Sequence, residues 1–325
     1  MNPGQITIII PAPQFNPRLP ALEALASCGL DKTRYQILVA EGNNPSRQRN
    51  LAAPKAHGEF LLFLDCDSQV DRDYFARLEK HIQSVEFDVL GGPALLPPGS
   101  PTLQQTFHAA LAHPLVSGPG AARYIPRGSL RRSDERELIL CNLAVRADFF
   151  QKTGGFNESL YPNEENEWLD RAPKQTRIYY DPDLRVHRPQ RETWAAFAHM
   201  LLRYGIGRTR QFLVSLRPSA KQLPPLLLLA WLVATVIHPQ LALLAAILFA
   251  AVFIPLIAAT IPLPHDTSPA GQRAAAAPTI GTGIAALCLL LFYSLGQIVG
   301  FFTALFSHPS KVEIHIVNET GERVN

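Results

Sequence analysis

The sequence predicts an α/β sheet covered by helices, continued toward the C-terminus by apolar helices of membrane-spanning character. Three observations predict it. Short β-branched or aromatic runs alternate with helical spacing over the first 220 residues; charges are mixed freely up to residue 221; and residues 222–265 contain no Asp, Glu, Lys or Arg.

The strands come first in that argument. ITIII, YQILVA, EFLLFLD, FDVLGG and RIYYD are short runs with the composition of buried strands, and ALEALASCG and DYFARLEKHIQS between them repeat apolar residues at helical intervals. The opening MNPGQITIII lacks a basic flank, has a short apolar run and meets prolines at once, so it reads as a buried strand rather than a secretory signal. The uncharged region then marks a change of solvent. Apolar runs over about 223–237 and 240–263 flank the turn His238-Pro239-Gln240, and a third run covers about 279–307. The first is shorter than the roughly 20 residues of a full crossing, so it either tilts or re-enters. This divides the chain into residues 1–221, an apolar region 222–307 and a polar tail 308–325. Arg203, Arg208, Arg210, Arg217 and Lys221 precede the first run with no acid among them, which places the large domain on the cytoplasmic face of an inner membrane. Three full crossings would put the tail outside, and a re-entrant first limb would keep it inside.

Composition excludes some functions. Over 325 residues the formal charge is only +3, so nucleic acid is not an expected partner. The four cysteines stand far apart without metal-ligand spacing, as in a reduced, cytosolic domain.

Ligands of such sheets gather at the carboxyl ends of strands, and three strand ends carry chemistry. In LFLDCDSQV an apolar strand stops at Asp65 and Asp67, two carboxylates that can face one Mg2+ or Mn2+ shared with substrate phosphates. The same residues also suit a turn closing the strand. In ILVAEGNNPSRQRN, Glu41 can accept hydrogen bonds from a base or ribose, while Arg49 and Asn50 lie near a helix start that favours phosphate. A capped turn with exposed basic residues is the alternative. In TGGFNESLYPNEENEWLDR, Glu164 and Glu165 either open a solvated acidic helix or supply a general base. His187, after a further strand-like run, can complete a metal or phosphate site.

These segments, in this order, resemble glycosyltransferase family 2, the inverting enzymes with the GT-A nucleotide-diphospho-sugar fold, over about residues 5–215. ITIIIPAPQFNP is similar to the family's first strand and turn, which implies donor contact at Pro11, and ILVAEGN to the strand whose acid, here Glu41, recognises the nucleoside. RQRNLAAPKAHGEFLLFLDCDSQV resembles the stretch leading into the DxD motif. It implies that Arg49, Asn50 and the aspartates bind the donor, with Asp67 the direct metal ligand and Asp65 beside it. CNLAVRADFFQKTGGFNESLYPNEENEWLDR resembles the run from a substrate-lining Asn, here Asn142, to the catalytic acid, which falls on Glu165 with Glu164 in support. VHRP is similar to the place where members supply a metal-binding histidine, His187. The family's base is usually Asp, so Glu165 departs by one methylene. QRETW lacks the QxxRW of processive synthases, so a single transfer is expected.

The resemblance implies a metal-dependent transfer from a nucleoside-diphosphate sugar, a UDP-sugar first, to a hydroxyl of a membrane-associated acceptor, such as a polyprenyl-linked sugar, or of a surface glycan. RYGIGRTRQF is similar to basic segments of membrane-attached bacterial members of exopolysaccharide and cell-envelope synthesis. Trp194, Arg203, Arg208 and Arg210 are accordingly the acceptor and membrane-proximal residues. The rival is a non-catalytic membrane scaffold that retains the sugar-nucleotide fold; a nucleotidyltransferase is disfavoured because PAPQFNPRLP is no glycine-rich phosphate loop. GPGAARYIPRGSLRRSDERE is the expected mobile cover.

Overall fold

The structure is a computed structural model that describes residues 2–31, 33–216, 280–303 and 314–324, with 235, 237 and 238. It divides into two compact units, one formed by residues 1–97, 119–189 and 309–325, the other by 98–118 and 190–308.

The first unit is built on strands β1 (Asn2–Ala12), β2 (Tyr35–Glu41), β3 (Gly58–Leu64), β4 (Gln69–Val70), β5 (Val89–Gly91), β6 (Ala94–Leu95), β7 (Arg131–Arg132), β8 (Asn142–Arg146), β9 (Ile178–Tyr180), β10 (Val186–His187) and β11 (His315–Asn318). Eight of them form one mixed sheet in the order β11-β2-β1-β3-β8-β5-β9-β7, and β4-β10-β6 form a second. β1 runs parallel to β2 and β3, while β8 runs antiparallel to β3, so the start of β8 meets the carboxyl end of β3 at Leu64–Asn142.

Alternation explains why ITIII and LLFL are apolar throughout. Ile8 and Leu62 enter a core on one face with Tyr74 and Leu78, and Ile9, Leu61 and Phe63 enter the other with Phe150 and Trp168. The covering helices are α1 (Pro20–Ser27), α2 (Pro45–Ala52) and α3 (Tyr74–Ser84), with α6 (Ala147–Lys152) and α7 (Glu164–Arg171) following later in the chain. α2 starts where it does because Asn44 Oδ1 accepts from the Arg47 amide at 3.1 Å and Pro45 pre-sets the first helical φ.

The second unit contains α4 (Thr102–Ala112), α5 (Pro114–Ser117), α8 (Trp194–Ser215) and a last helix, α9 (Ile280–Thr303). Phe107 of α4 stacks on Phe197 of α8 at 4.1 Å. α8 and α9 touch backbone to backbone: a Cβ at Gly205 would lie 2.1 Å from the Tyr293 carbonyl, and one at Gly296 2.2 Å from that of Leu202. Only glycine permits this approach. Among the described residues one helix is long and apolar enough to cross a membrane, Gly281–Thr303, with mean hydropathy 2.1. The two earlier apolar runs lie, apart from residues 235 and 237, outside the described residues.

The chain divides differently from the expected boundary at residue 221. Residues 98–118 and 190–216 belong with the second unit, and the expected polar tail returns to the first as β11, paired antiparallel with β2 from His315–Glu41 to Asn318–Leu38. A four-residue strand has too little periodicity to be read alone; what seats Ile316 and Val317 is the open edge of β2, against which both are buried. The expected mobile cover is likewise tied down, because β7 pairs with β9 and Arg131 bonds Glu137 at 2.7 Å.

Candidate active site

β3 ends at Leu64, and the chain turns through Asp65-Cys66-Asp67, with the Ser68 amide bonded to the Asp65 carbonyl at 3.0 Å. Burial and the flanking carboxylates push the Cys66 thiol up to about 11, so a neutral side chain separates the two acids. The short sheet then delivers a cation. β10 pairs with β4 so that His187 opposes Gln69, and the next residue, Arg188, reaches both aspartates: Nε donates to Asp67 Oδ1 at 2.9 Å and Nη2 lies 3.2 Å from Asp65 Oδ2.

A second guanidinium joins this pair to α7. Arg49, almost wholly buried on α2, donates to Asp65 Oδ1 at 2.6 Å through Nη2 and to Glu164 Oε1 at 3.1 Å through Nη1. Burial raises the Glu164 carboxyl above the usual carboxylate range, to about 8; Glu165 repels it further and Arg49 pulls the other way. Glu165 is held differently. Asn166 Nδ2 donates to its Oε1 at 2.9 Å, and Arg123 Nη1 lies 3.9 Å from the same oxygen while its Nη2 bonds Asn166 Oδ1 at 2.6 Å. α7 presents both acids in its first turn, where the helix dipole favours negative charge.

The other expected site residues fall into three groups. Glu41 stands at the carboxyl end of β2 beside Ala12 and accepts the Phe15 amide at 2.6 Å; Pro11 is buried in β1 opposite Ala40. Asn50 and Asn142 act as braces: Asn50 exchanges two bonds with the Phe156 backbone, and Asn142, fully buried, bonds Leu184 and Pro93 carbonyls and accepts from the Tyr74 hydroxyl at 2.6 Å. Trp194, Arg203, Arg208 and Arg210 lie on α8, in the other unit.

His187 Nε2 lies 2.8 Å from Asp71 Oδ1, and its Nδ1 faces the Leu96 carbonyl at 3.3 Å. Among the described residues no three His, Cys, Asp or Glu side chains are grouped to hold a metal. The two aspartates nonetheless fit a single cation, since Asp65 Oδ2 and Asp67 Oδ1 converge on one guanidinium. Sequence reasoning missed Arg188 and Arg123. An arginine beside the expected histidine was a signal for the first; nothing local marked the second.

Comparison with known proteins bears on the fold. Residues 20–125, which include the aspartate pair, match the model of glycosyl transferase family 2. A mannosyltransferase from Pyrobaculum calidifontis, PcManGT, solved with GDP-Man and Mn2+, is 15% identical with a TM-score of 0.51, over 93% of this chain and 87% of that one. S. aureus TarS 1–349 with UDP-GlcNAc is also 15% identical, at a TM-score of 0.43 over 68% of this chain and 78% of that one. No curated protein matches in sequence. The fold is the GT-A fold of glycosyltransferases, a mixed α/β sheet with flanking helices.

Proposed function

Taking as premise that residues 20–125 are a glycosyltransferase family 2 segment, we propose that the chain is an inverting, metal-dependent transferase acting on a membrane-associated acceptor. It moves a sugar from a nucleoside-diphosphate donor to an acceptor hydroxyl. One observation carries the reading: the carboxylate pair that ends β3 and the acids that open α7 are joined through a single buried guanidinium, Arg49. A donor site and a base site are thereby built as one unit.

Asp67 and Asp65 would hold a divalent cation, which offsets the charge gathering on the departing diphosphate. Glu165, kept in place by Asn166 and Arg123, takes the acceptor's proton. The acceptor oxygen bonds to the anomeric carbon as the bond from that carbon to the diphosphate oxygen breaks, and attack from the opposite side inverts the configuration. Glu164, anchored by Arg49, fixes the start of α7 and the placement of its neighbour. Glu41 faces the nucleoside, with a UDP-sugar the first donor to try.

The membrane part of the proposal rests on the uncharged run 222–265 and on α9. A lipid-linked acceptor is the natural substrate of an enzyme held there.

The test is a panel of UDP- and GDP-sugars with lipid extracts and soluble glycans as acceptors. We expect metal-dependent transfer that Glu165→Gln lowers by about 10²–10⁴ without abolishing nucleotide binding. Binding without transfer or hydrolysis in the wild-type chain would instead establish the scaffold reading.

A further inference from the structure

The helix α9 qualifies for a crossing by length and composition, but its neighbour argues otherwise. α8 packs along it: Leu202 and Gly205 meet Tyr293 and Gly296, and Ile206 and Thr209 meet Gly300 and Gln297, where the Thr209 hydroxyl donates to the Gln297 carbonyl at 2.8 Å. α8 also carries Arg203, Arg208 and Arg210, and Arg208 Nε donates to the Tyr293 hydroxyl at 3.3 Å. Tyr293 stands 12 residues after Gly281 and 10 before Thr303, the middle of the candidate span.

A transmembrane α9 would therefore carry a guanidinium to the bilayer centre, with two more arginines close by on α8. An arginine there is strongly disfavoured. The opposite face of α9 has no such conflict. Ile284, Leu291, Leu295 and Phe302 are exposed, and at helical spacing they form one stripe.

We infer that α8 and α9 form a paired amphipathic platform lying in the surface of an anionic bilayer, with the α9 stripe facing the acyl chains and the α8 arginines at the phosphates. The partner follows from charge and continuity. Three basic side chains and an apolar stripe match a headgroup–acyl boundary, and the stretch leading into α9 contains the uncharged residues 222–265.

This inference rests on the membrane part of the proposed function, and the experiment separates the two. The full chain, with its other natural cysteines replaced, is reconstituted into phosphatidylglycerol–phosphatidylethanolamine vesicles. It is spin-labelled at Cys288 and, singly, in Ile284→Cys, Leu291→Cys, Leu295→Cys and Phe302→Cys; Cys288 needs no new substitution on α9. Collision of the label with oxygen and with a water-soluble nickel chelate reports depth. The expected result is one shallow depth, about 5–10 Å below the phosphates, along the helix. Depths that run from one surface through a centre about 15 Å down to the other surface would overturn it. So would label-to-label contact between copies, which would mean that the stripe covers a second chain. Failure to float with the vesicles would refute the membrane reading itself.

Discussion

Arg49→Met tests the junction of the proposed donor and base sites. The substitution keeps length and apolar volume but removes the cation that lies 2.6 Å from Asp65 and 3.1 Å from Glu164. Asp65 retains Arg188 at 3.2 Å, so the deprived group is Glu164, whose side chain is 3% exposed. Its folded-state carboxyl is raised from 4.5 to about 8. The folded state therefore favours the protonated form; that contribution is complete below pH 4.5 and is lost as pH rises through about 8. Taking Arg49 away raises the folded value further and makes the loss steeper. At pH 9 the variant leaves an unpaired buried charge, worth about 3–5 kcal/mol, whereas at pH 5 the carboxyl holds its proton and the cost falls to about 1–3 kcal/mol. Thermal or urea unfolding of the full chain in detergent at pH 5, 7 and 9 measures this, with Glu164→Gln and the double variant alongside. The gap between wild type and Arg49→Met should widen with pH and close in the Glu164→Gln background. An equal loss at pH 5 and pH 9 would refute the assignment of Glu164 as the titrating group.

Arg188→Gln frees Asp67 and the Oδ2 of Asp65, whose Oδ1 stays with Arg49, so donor-free protein should bind Mn2+ roughly three- to tenfold more tightly, the ~1 kcal/mol scale of ion pairs partly open to water; calorimetry without nucleotide reads it, and unchanged affinity would mean the guanidinium does not compete for the pair. Ile316→Ala and Val317→Ala, both buried in β11, should each cost about 2–4 kcal/mol and open the chain after residue 303 to protease; unaltered melting would show that β11 contributes nothing to the sheet.

The legible parts of the fold were those whose signal is local. β1, β2 and β3 were readable because strands buried on both faces are apolar without interruption. β8 was not anticipated: NLAVR is polar at both ends, and its interior character comes from lying between β3 and β5. The aspartate pair was visible because two acids following LFL have no reason to be there in a core strand. Its cations were hidden, since Arg188 meets Asp67 across 121 positions and Arg123 reaches Asn166 across 43. His187 likewise meets its carboxylate partner, Asp71, across 116 positions.

The charge balance of the site bears on how a donor would enter. Three guanidiniums, Arg49, Arg123 and Arg188, face four acids, Asp65, Asp67, Glu164 and Glu165. At neutral pH the raised Glu164 is largely protonated, which leaves the cluster close to neutral. A diphosphate arriving at a neutral cluster gains little from the field and meets two carboxylates already satisfied by Arg188. Favourable binding then requires the carboxylates to receive another cation and Arg188 to turn from them to the phosphates, where its planar fork suits two oxygens. Nucleotide and metal should accordingly bind as a pair, each weakly alone. Because such coupling is reciprocal, the factor by which Mn2+ tightens nucleoside diphosphate must equal the factor by which the nucleotide tightens Mn2+. In Arg188→Gln that shared factor should fall, since Asp67 and one oxygen of Asp65 are already free and the diphosphate loses its guanidinium; a factor that stays the same would place Arg188 outside the donor site.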